Sequence, residues 1–119
     1  ITLESEISFV KVASYHEMES SGDIKKLIGL NEPIFNRDVI LIEDIVDSGR
    51  TIKKMMTEFR ELGAKSVEVA SLLYKPESVI VDLNVKYFGF EIPSLFVVGY
   101  GLDYNGLGRN LRDIYQLKS

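Results

Sequence analysis

The chain has 119 residues, 45% of them apolar and 27% charged, with a formal net charge of −4 at pH 7. That length and apolar share predict one domain with a true core, and an acidic balance without a basic stripe argues against nucleic acid as a partner. The absence of cysteine excludes disulfides and thiolate metal sites. No apolar stretch of membrane-spanning length and no signal-peptide pattern is present, so no membrane partner and a cytoplasmic location are expected.

Ile1 opens the chain without a methionine, and the first dozen residues already read as an interior segment, so an upstream portion is expected. Ile7–Val12 alternates loosely and predicts a strand. The polar stretch from Ser14 to Asp23 then leads to a second apolar run, Ile24–Leu30, also strand-like. A polar excursion of that length is characteristic of a disordered segment or a functional lid. Its His16 is the chain's one histidine, and it reads as a solvated loop residue. Asn36-Arg37-Asp38 is a turn signal.

Val39–Ile42 is four consecutive apolar residues, three of them β-branched, which predicts a strand buried on both faces. The run breaks into adjacent carboxylates, Glu43 and Asp44, and a polar turn, Asp47-Ser48-Gly49-Arg50-Thr51. Ile52, Met55, Met56, Phe59 and Leu62 have the spacing of one helix face, Lys53, Lys54, Glu58 and Glu61 fall opposite, and Gly63 supplies the stop. Val67–Leu73 is the next strand, and strand, helix, strand at this length is a βαβ unit with a parallel pair. Val85–Phe90 and Leu95–Tyr100 are further strands, Gly101 opens a glycine-rich loop, and Leu111–Leu117 is a short terminal element of undetermined type. The class is α/β, with a mainly parallel twisted sheet flanked by helices.

The strands of a parallel sheet end along one edge, where ligands of open α/β folds bind. Three polar sets follow apolar strands here: Glu43 to Thr51, Lys75, and Asp103. Small polar residues opening a helix suit a phosphate, whose oxygens meet outward backbone N–H groups. Neighbouring carboxylates repel unless a cation or hydroxyl donors share them. Together they suit a ligand with both a phosphate and a polyol, such as a phosphorylated ribose. Each part alone has a plainer explanation: an N-cap for Asp47 or Ser48, a solvated pair for Glu43 and Asp44, surface charges for Lys75, Asp103 and Arg109. The conjunction is what favours a site.

Val39 to Thr51 resembles the phosphoribosyl-pyrophosphate signature of type I phosphoribosyltransferases. Val69-Ala70-Ser71-Leu72-Leu73 with Lys75, Phe88-Gly89-Phe90-Glu91-Ile92-Pro93 and Phe96 to Asn105 are similar to the hypoxanthine (hypoxanthine-guanine) branch of that family. So is Val12-Ala13-Ser14-Tyr15 with Ser21-Gly22-Asp23-Ile24-Lys25. The resemblance implies the type I phosphoribosyltransferase fold over residues 1–119, in its larger C-terminal part. Its N-terminal portion, which in the family carries a pyrophosphate loop, has no counterpart in this sequence. It also implies purine salvage, in which magnesium assists phosphoribosyl transfer from phosphoribosyl pyrophosphate to a 6-oxopurine.

The roles implied are residue by residue. Glu43 and Asp44 meet the ribose hydroxyls, directly or through Mg2+, and Asp47, Ser48, Gly49, Arg50 and Thr51 hold the 5′-phosphate. Asp47 is also the general acid/base at purine N7. Lys75 donates to the oxygen at position 6, Phe96 stacks on the base, and the Val97 backbone reads its edge. Asp103 lies by the purine and helps hold magnesium, and Arg109 contacts pyrophosphate. Ser14 and Tyr15 belong to a lid, and the assembly is a homodimer or homotetramer. Ser48 and Arg50 stand where many relatives have threonine and lysine, which preserves a hydroxyl and a cation.

Other functions remain open at this stage. Lys75 does not distinguish among 6-oxopurines, so a xanthine- or guanine-preferring enzyme is the neighbouring alternative. A non-catalytic, RNA-binding nucleotide sensor on the same fold is another, and the acidic balance speaks against it. A receiver-type signalling domain also combines an acidic pair with Lys-Pro, but there the acidic pair and the phosphorylated aspartate end different strands. Here Lys75-Pro76 precedes any later strand-end aspartate, and the polar turn directly follows the acidic pair.

Overall fold

A computed structural model describes residues 1–10 and 33–118. The chain divides into two compact units, Ile1–Val39 with Thr51–Glu68, and Ile40–Arg50 with Val69–Ser119. The described elements are β1 (Asp38–Val46), α1 (Arg50–Glu61), β2 (Ser66–Tyr74), a 3-10 turn (Pro76–Ser78), β3 (Tyr87–Glu91), β4 (Val97–Val98) and β5 (Tyr115–Gln116). β1, β2 and β3 form one sheet in that order, and β4 and β5 form a separate pair.

In the first unit, α1 buries Ile52, Met55, Met56 and Phe59, four of the five residues of the stripe its spacing predicts, whereas Leu62 follows the helix and is exposed. It stops where expected. Gly63 has φ +92°, its N–H donates to the Arg60 carbonyl, and Ala64 N–H donates to the Phe59 carbonyl. Those two bonds are a Schellman cap, which favours glycine because the backbone turns left-handed. Asn36, itself at φ +58°, donates its N–H to the Gly63 carbonyl at 2.7 Å. The predicted turn at Asn36 is therefore present and tied to the end of the helix. The predicted strand Ile7–Val12 is not. Residues 7–10 have no regular structure and Ile7 and Phe9 are exposed, while positions 11 and 12 lie outside the described residues. Loose alternation alone does not make a strand, which needs a partner strand to pair its backbone groups. The predicted strand Ile24–Leu30 also lies outside the described residues.

β2 alternates as a strand with one buried face should, with Val67, Val69, Ser71 and Leu73 buried. β1 corrects two expectations. It is not buried on both faces, since Ile40 is 59% and Ile42 77% exposed while Leu41 is buried. Among the described residues β1 is an edge strand of this sheet, and an apolar run does not reveal what covers each face. Nor does the strand end before the carboxylates, because pairing continues through Glu43 and Asp44 to Val46.

In the second unit, β3 runs parallel to β2, with Ala70 opposite Tyr87 and Leu73 opposite Phe90. It begins at Tyr87 rather than Val85. The expected strand Leu95–Tyr100 shrinks to two residues, antiparallel to β5, with Val97 opposite Gln116 and Val98 opposite Tyr115. Gly99, Tyr100 and Gly101 all have positive φ, which an extended strand cannot contain. The terminal element of undetermined type is thus strand β5.

Candidate functional site

The candidate residues gather at two places in the second unit. The first is the end of β1 and the end of β2. Glu43 and Asp44, being consecutive in a strand, project to opposite faces. Glu43 is on the face of Leu41 and is half-buried, while Asp44 is exposed. Burial first, and the neighbouring Asp44 charge second, hold the Glu43 carboxyl above its ordinary range. Asp44 Oδ1 accepts a hydrogen bond from the Ile45 N–H at 2.7 Å.

The turn proper is Asp47 to Gly49, because Arg50 and Thr51 already belong to α1. Gly49 is buried at φ +81°. A Cβ there would stand 2.9 Å from Leu83 Cδ2 and 3.2 Å from Val81 Cγ2. The Ser48 carbonyl accepts from Ile80 N–H at 3.1 Å. Segment 79–83 therefore supports the turn from behind, a role with no local sequence signal. In front, Ser48 Oγ accepts from Arg50 N–H at 3.4 Å. Thr51 lies in the first turn of α1 and in the other compact unit.

Lys75 follows β2 and is held by its own N–H, which donates to the Val46 carbonyl at 3.0 Å. Its side chain is only 7% exposed, and Nζ donates to Asp47 Oδ2 at 3.1 Å. Two of the predicted residues, from different strand ends, thus form one ion pair. Beyond Lys75, the Ser78 and Ser94 hydroxyls bond to each other. They link the turn after β2 to the segment that leads into Phe96.

The second place is the loop after β4. Phe96 is about half exposed, and its ring meets Tyr104 edge-on, centroids 5.8 Å apart at 80°. Val97 follows in β4. Asp103 Oδ1 pairs with Arg109 Nη2 at 3.0 Å and Oδ2 accepts from Gly106 N–H at 2.8 Å. Arg109 Nη1 donates to the Gly101 carbonyl at 2.8 Å. Arg109 and Asp103 are thereby brought together, which sequence reasoning did not anticipate. Among the described residues no three His, Cys, Asp or Glu side chains gather as a metal cage, so Glu43, Asp44 and Asp103 offer their oxygens separately. Ser14 and Tyr15 lie outside the described residues. No helix among the described residues is long and apolar enough to cross a membrane.

Comparison with known proteins matches residues 2–105 to the family model of the phosphoribosyl transferase domain. A hypoxanthine-guanine phosphoribosyltransferase of Streptococcus mutans is 46% identical over 114 residues, covering 95% of this chain and 63% of that protein. A crystal structure of a hypoxanthine-guanine phosphoribosyltransferase from Bacillus anthracis superposes with TM-score 0.81 and 36% identity. That match covers 99% of this chain and 70% of the other. The enzyme of Leishmania tarentolae in complex with GMP gives TM-score 0.70 and 40% identity over 74% of this chain and 52% of that one. The chain thus spans 63% of the length of the Streptococcus mutans relative.

Proposed function

The chain belongs to the phosphoribosyl transferase domain family, and from that premise we propose that it serves purine salvage. The reaction is transfer of the phosphoribosyl group from phosphoribosyl pyrophosphate to hypoxanthine and guanine, with release of pyrophosphate. The observation that carries this reading is the pair Lys75–Asp47, an ammonium and a carboxylate 3.1 Å apart. A 6-oxopurine offers along one edge an acceptor, O6, and a position, N7, that bears or takes a proton. Lys75 donates to the first and Asp47 serves the second as acid/base. Adenine would bring an amino group against the ammonium, donor against donor, a mismatch a polar site rejects strongly.

The other residues follow from charge and shape. The Asp47 to Thr51 segment, opening α1, takes the 5′-phosphate on its N–H groups and hydroxyls. Glu43 and Asp44 take the ribose hydroxyls, Phe96 stacks on the base, and the Val97 backbone meets its edge. Arg109 faces pyrophosphate. The reacting ribose carbon becomes cationic, so water must be excluded, and the segment Ser14 to Asp23 with Tyr15 serves as the lid. Magnesium takes one or two carboxylates together with substrate phosphates and keeps its waters. Oxygens offered separately by Glu43, Asp44 and Asp103 fit such an ion, which would absorb charge on the departing pyrophosphate. A homodimer or homotetramer in the cytoplasm completes the proposal.

The test is formation of inosine monophosphate from magnesium-phosphoribosyl pyrophosphate and hypoxanthine by the intact gene product. Within that assay Asp47→Asn lowers turnover far more than it weakens nucleotide binding. Equal losses in both would contradict acid/base work at Asp47.

A further inference from the structure

The loop after β4 holds an arginine more firmly than an exposed side chain is usually held. Arg109 is 61% exposed, yet its two terminal nitrogens have separate partners, Asp103 Oδ1 at 3.0 Å and the Gly101 carbonyl at 2.8 Å. The Arg109 carbonyl in turn accepts from Gly101 N–H at 3.0 Å. One residue thus grips both backbone atoms of Gly101, main chain to one and side chain to the other. Asp103 is fixed as well, since its second oxygen takes the Gly106 N–H at 2.8 Å. Tyr104 and Leu107 exchange backbone bonds on either side of that contact. The loop's positive φ values at Gly101, Asn105, Gly106 and Gly108 permit the reversal that brings residues 103 and 109 together.

We infer that Asp103 is a positioning residue for Arg109, setting the guanidinium for an incoming anion independently of any metal. This rests on the proposed contact between Arg109 and pyrophosphate. A guanidinium tethered at two points loses less freedom when it binds, and a planar fork held in one orientation suits a phosphate edge. The carboxylate has the opposite direct effect, because its own charge repels the anion. The two effects therefore differ in sign.

Pyrophosphate binding to the full chain is measured by calorimetry in excess chelator, for the wild type, Asp103→Asn, Arg109→Gln and the double variant. Asparagine keeps an oxygen for the Gly106 N–H, and an amide-proton spectrum confirms that the loop is intact. Positioning predicts that Asp103→Asn weakens pyrophosphate binding by roughly fivefold to tenfold, the scale of one impaired charge-assisted hydrogen bond. The double variant then binds no worse than Arg109→Gln alone. Unchanged or tighter binding by Asp103→Asn, alongside a loss in Arg109→Gln, overturns the positioning role and leaves the Arg109 contact standing. No loss in Arg109→Gln, or no binding by the wild type, overturns both.

Discussion

The ammonium of Lys75 lies 3.1 Å from the carboxylate of Asp47, but the lysine side chain is 7% exposed and the aspartate 59%. The pair is therefore lopsided. Water solvates Asp47 if Lys75 is removed, whereas the buried Lys75 ammonium depends on Asp47 to replace the hydration that burial takes away. Removing the partner of a buried charge costs more than replacing the charge by an apolar group.

Asp47→Ala is accordingly expected to lower stability by about 1–3 kcal/mol. Lys75→Met, which keeps most of the length and removes the charge, stays within about 1 kcal/mol of the wild type or exceeds it. Urea unfolding at constant slope reads both. If Lys75→Met proves the more damaging substitution, the buried ammonium is not what the pair serves.

Glu43 predicts a pH dependence of known sign. Its folded carboxyl is raised above 4.5 by burial and by Asp44. Between the unfolded and folded values, the native state keeps a proton that the unfolded chain has released. The group's contribution to stability is thus fully present below the unfolded value and is lost as pH rises through the folded one. With chelator present, Glu43→Gln is expected to flatten that fall and to melt higher than the wild type near neutral pH. Thermal unfolding of the two proteins between about pH 4 and 8 decides it, and parallel curves would remove Glu43 as the cause.

What was legible in the sequence is what local periodicity encodes. The helix face Ile52, Met55, Met56, Phe59 and the stop at Gly63 followed from spacing and from glycine's freedom at positive φ. β2 followed from its apolar run. The errors arose where distant chain decides the outcome. Ile40 and Ile42 are as apolar as Leu41, but burial depends on what lies over each face. Glu43 and Asp44 stay in β1 because pairing extends to the Val46 carbonyl, which Lys75 N–H satisfies. Leu95–Tyr100 looked like a strand because nothing local announced the positive φ of Tyr100. The candidate site followed the same division. Its turn and carboxylates were visible as a motif, while the burial of Lys75, the support of Gly49 by segment 79–83 and the pairing of Asp103 with Arg109 are tertiary.

Two neighbouring glycines separate steric from conformational cost. Gly99 and Gly101 have φ of +101° and +95°. A Cβ on Gly99 would collide with the Asp113 carbonyl, whereas one on Gly101 would meet nothing within 4 Å. Gly101→Ala is therefore expected to cost about 1–2 kcal/mol from backbone strain alone. Gly99→Ala adds a clash with backbone that cannot rotate away, and should cost more than about 3 kcal/mol with loss of the β4–β5 pairing. Equilibrium unfolding and amide exchange at Val98 report the two effects. Equal costs would mean that strand β5 moves aside freely.

The proposed stacking role of Phe96 separates recognition of the base from recognition of the phosphate. Its ring is about half exposed and rests edge-on against Tyr104, so one aromatic braces the other while a face is left for stacking. Stacking on an aromatic side chain is worth about 1–3 kcal/mol per base. Phe96→Ala is expected to weaken inosine monophosphate binding by about tenfold or more and to leave ribose 5-phosphate binding unchanged, because the site proposed for the sugar phosphate is Glu43 to Thr51 instead. Tyr104→Ala should give a smaller loss for the nucleotide, since it removes only the brace. Tyr104→Phe should give none, because the edge contact needs no hydroxyl. Calorimetric titration with both ligands distinguishes the cases. A matching loss for ribose 5-phosphate would mean that Phe96 holds the loop in shape and does not stack on the base.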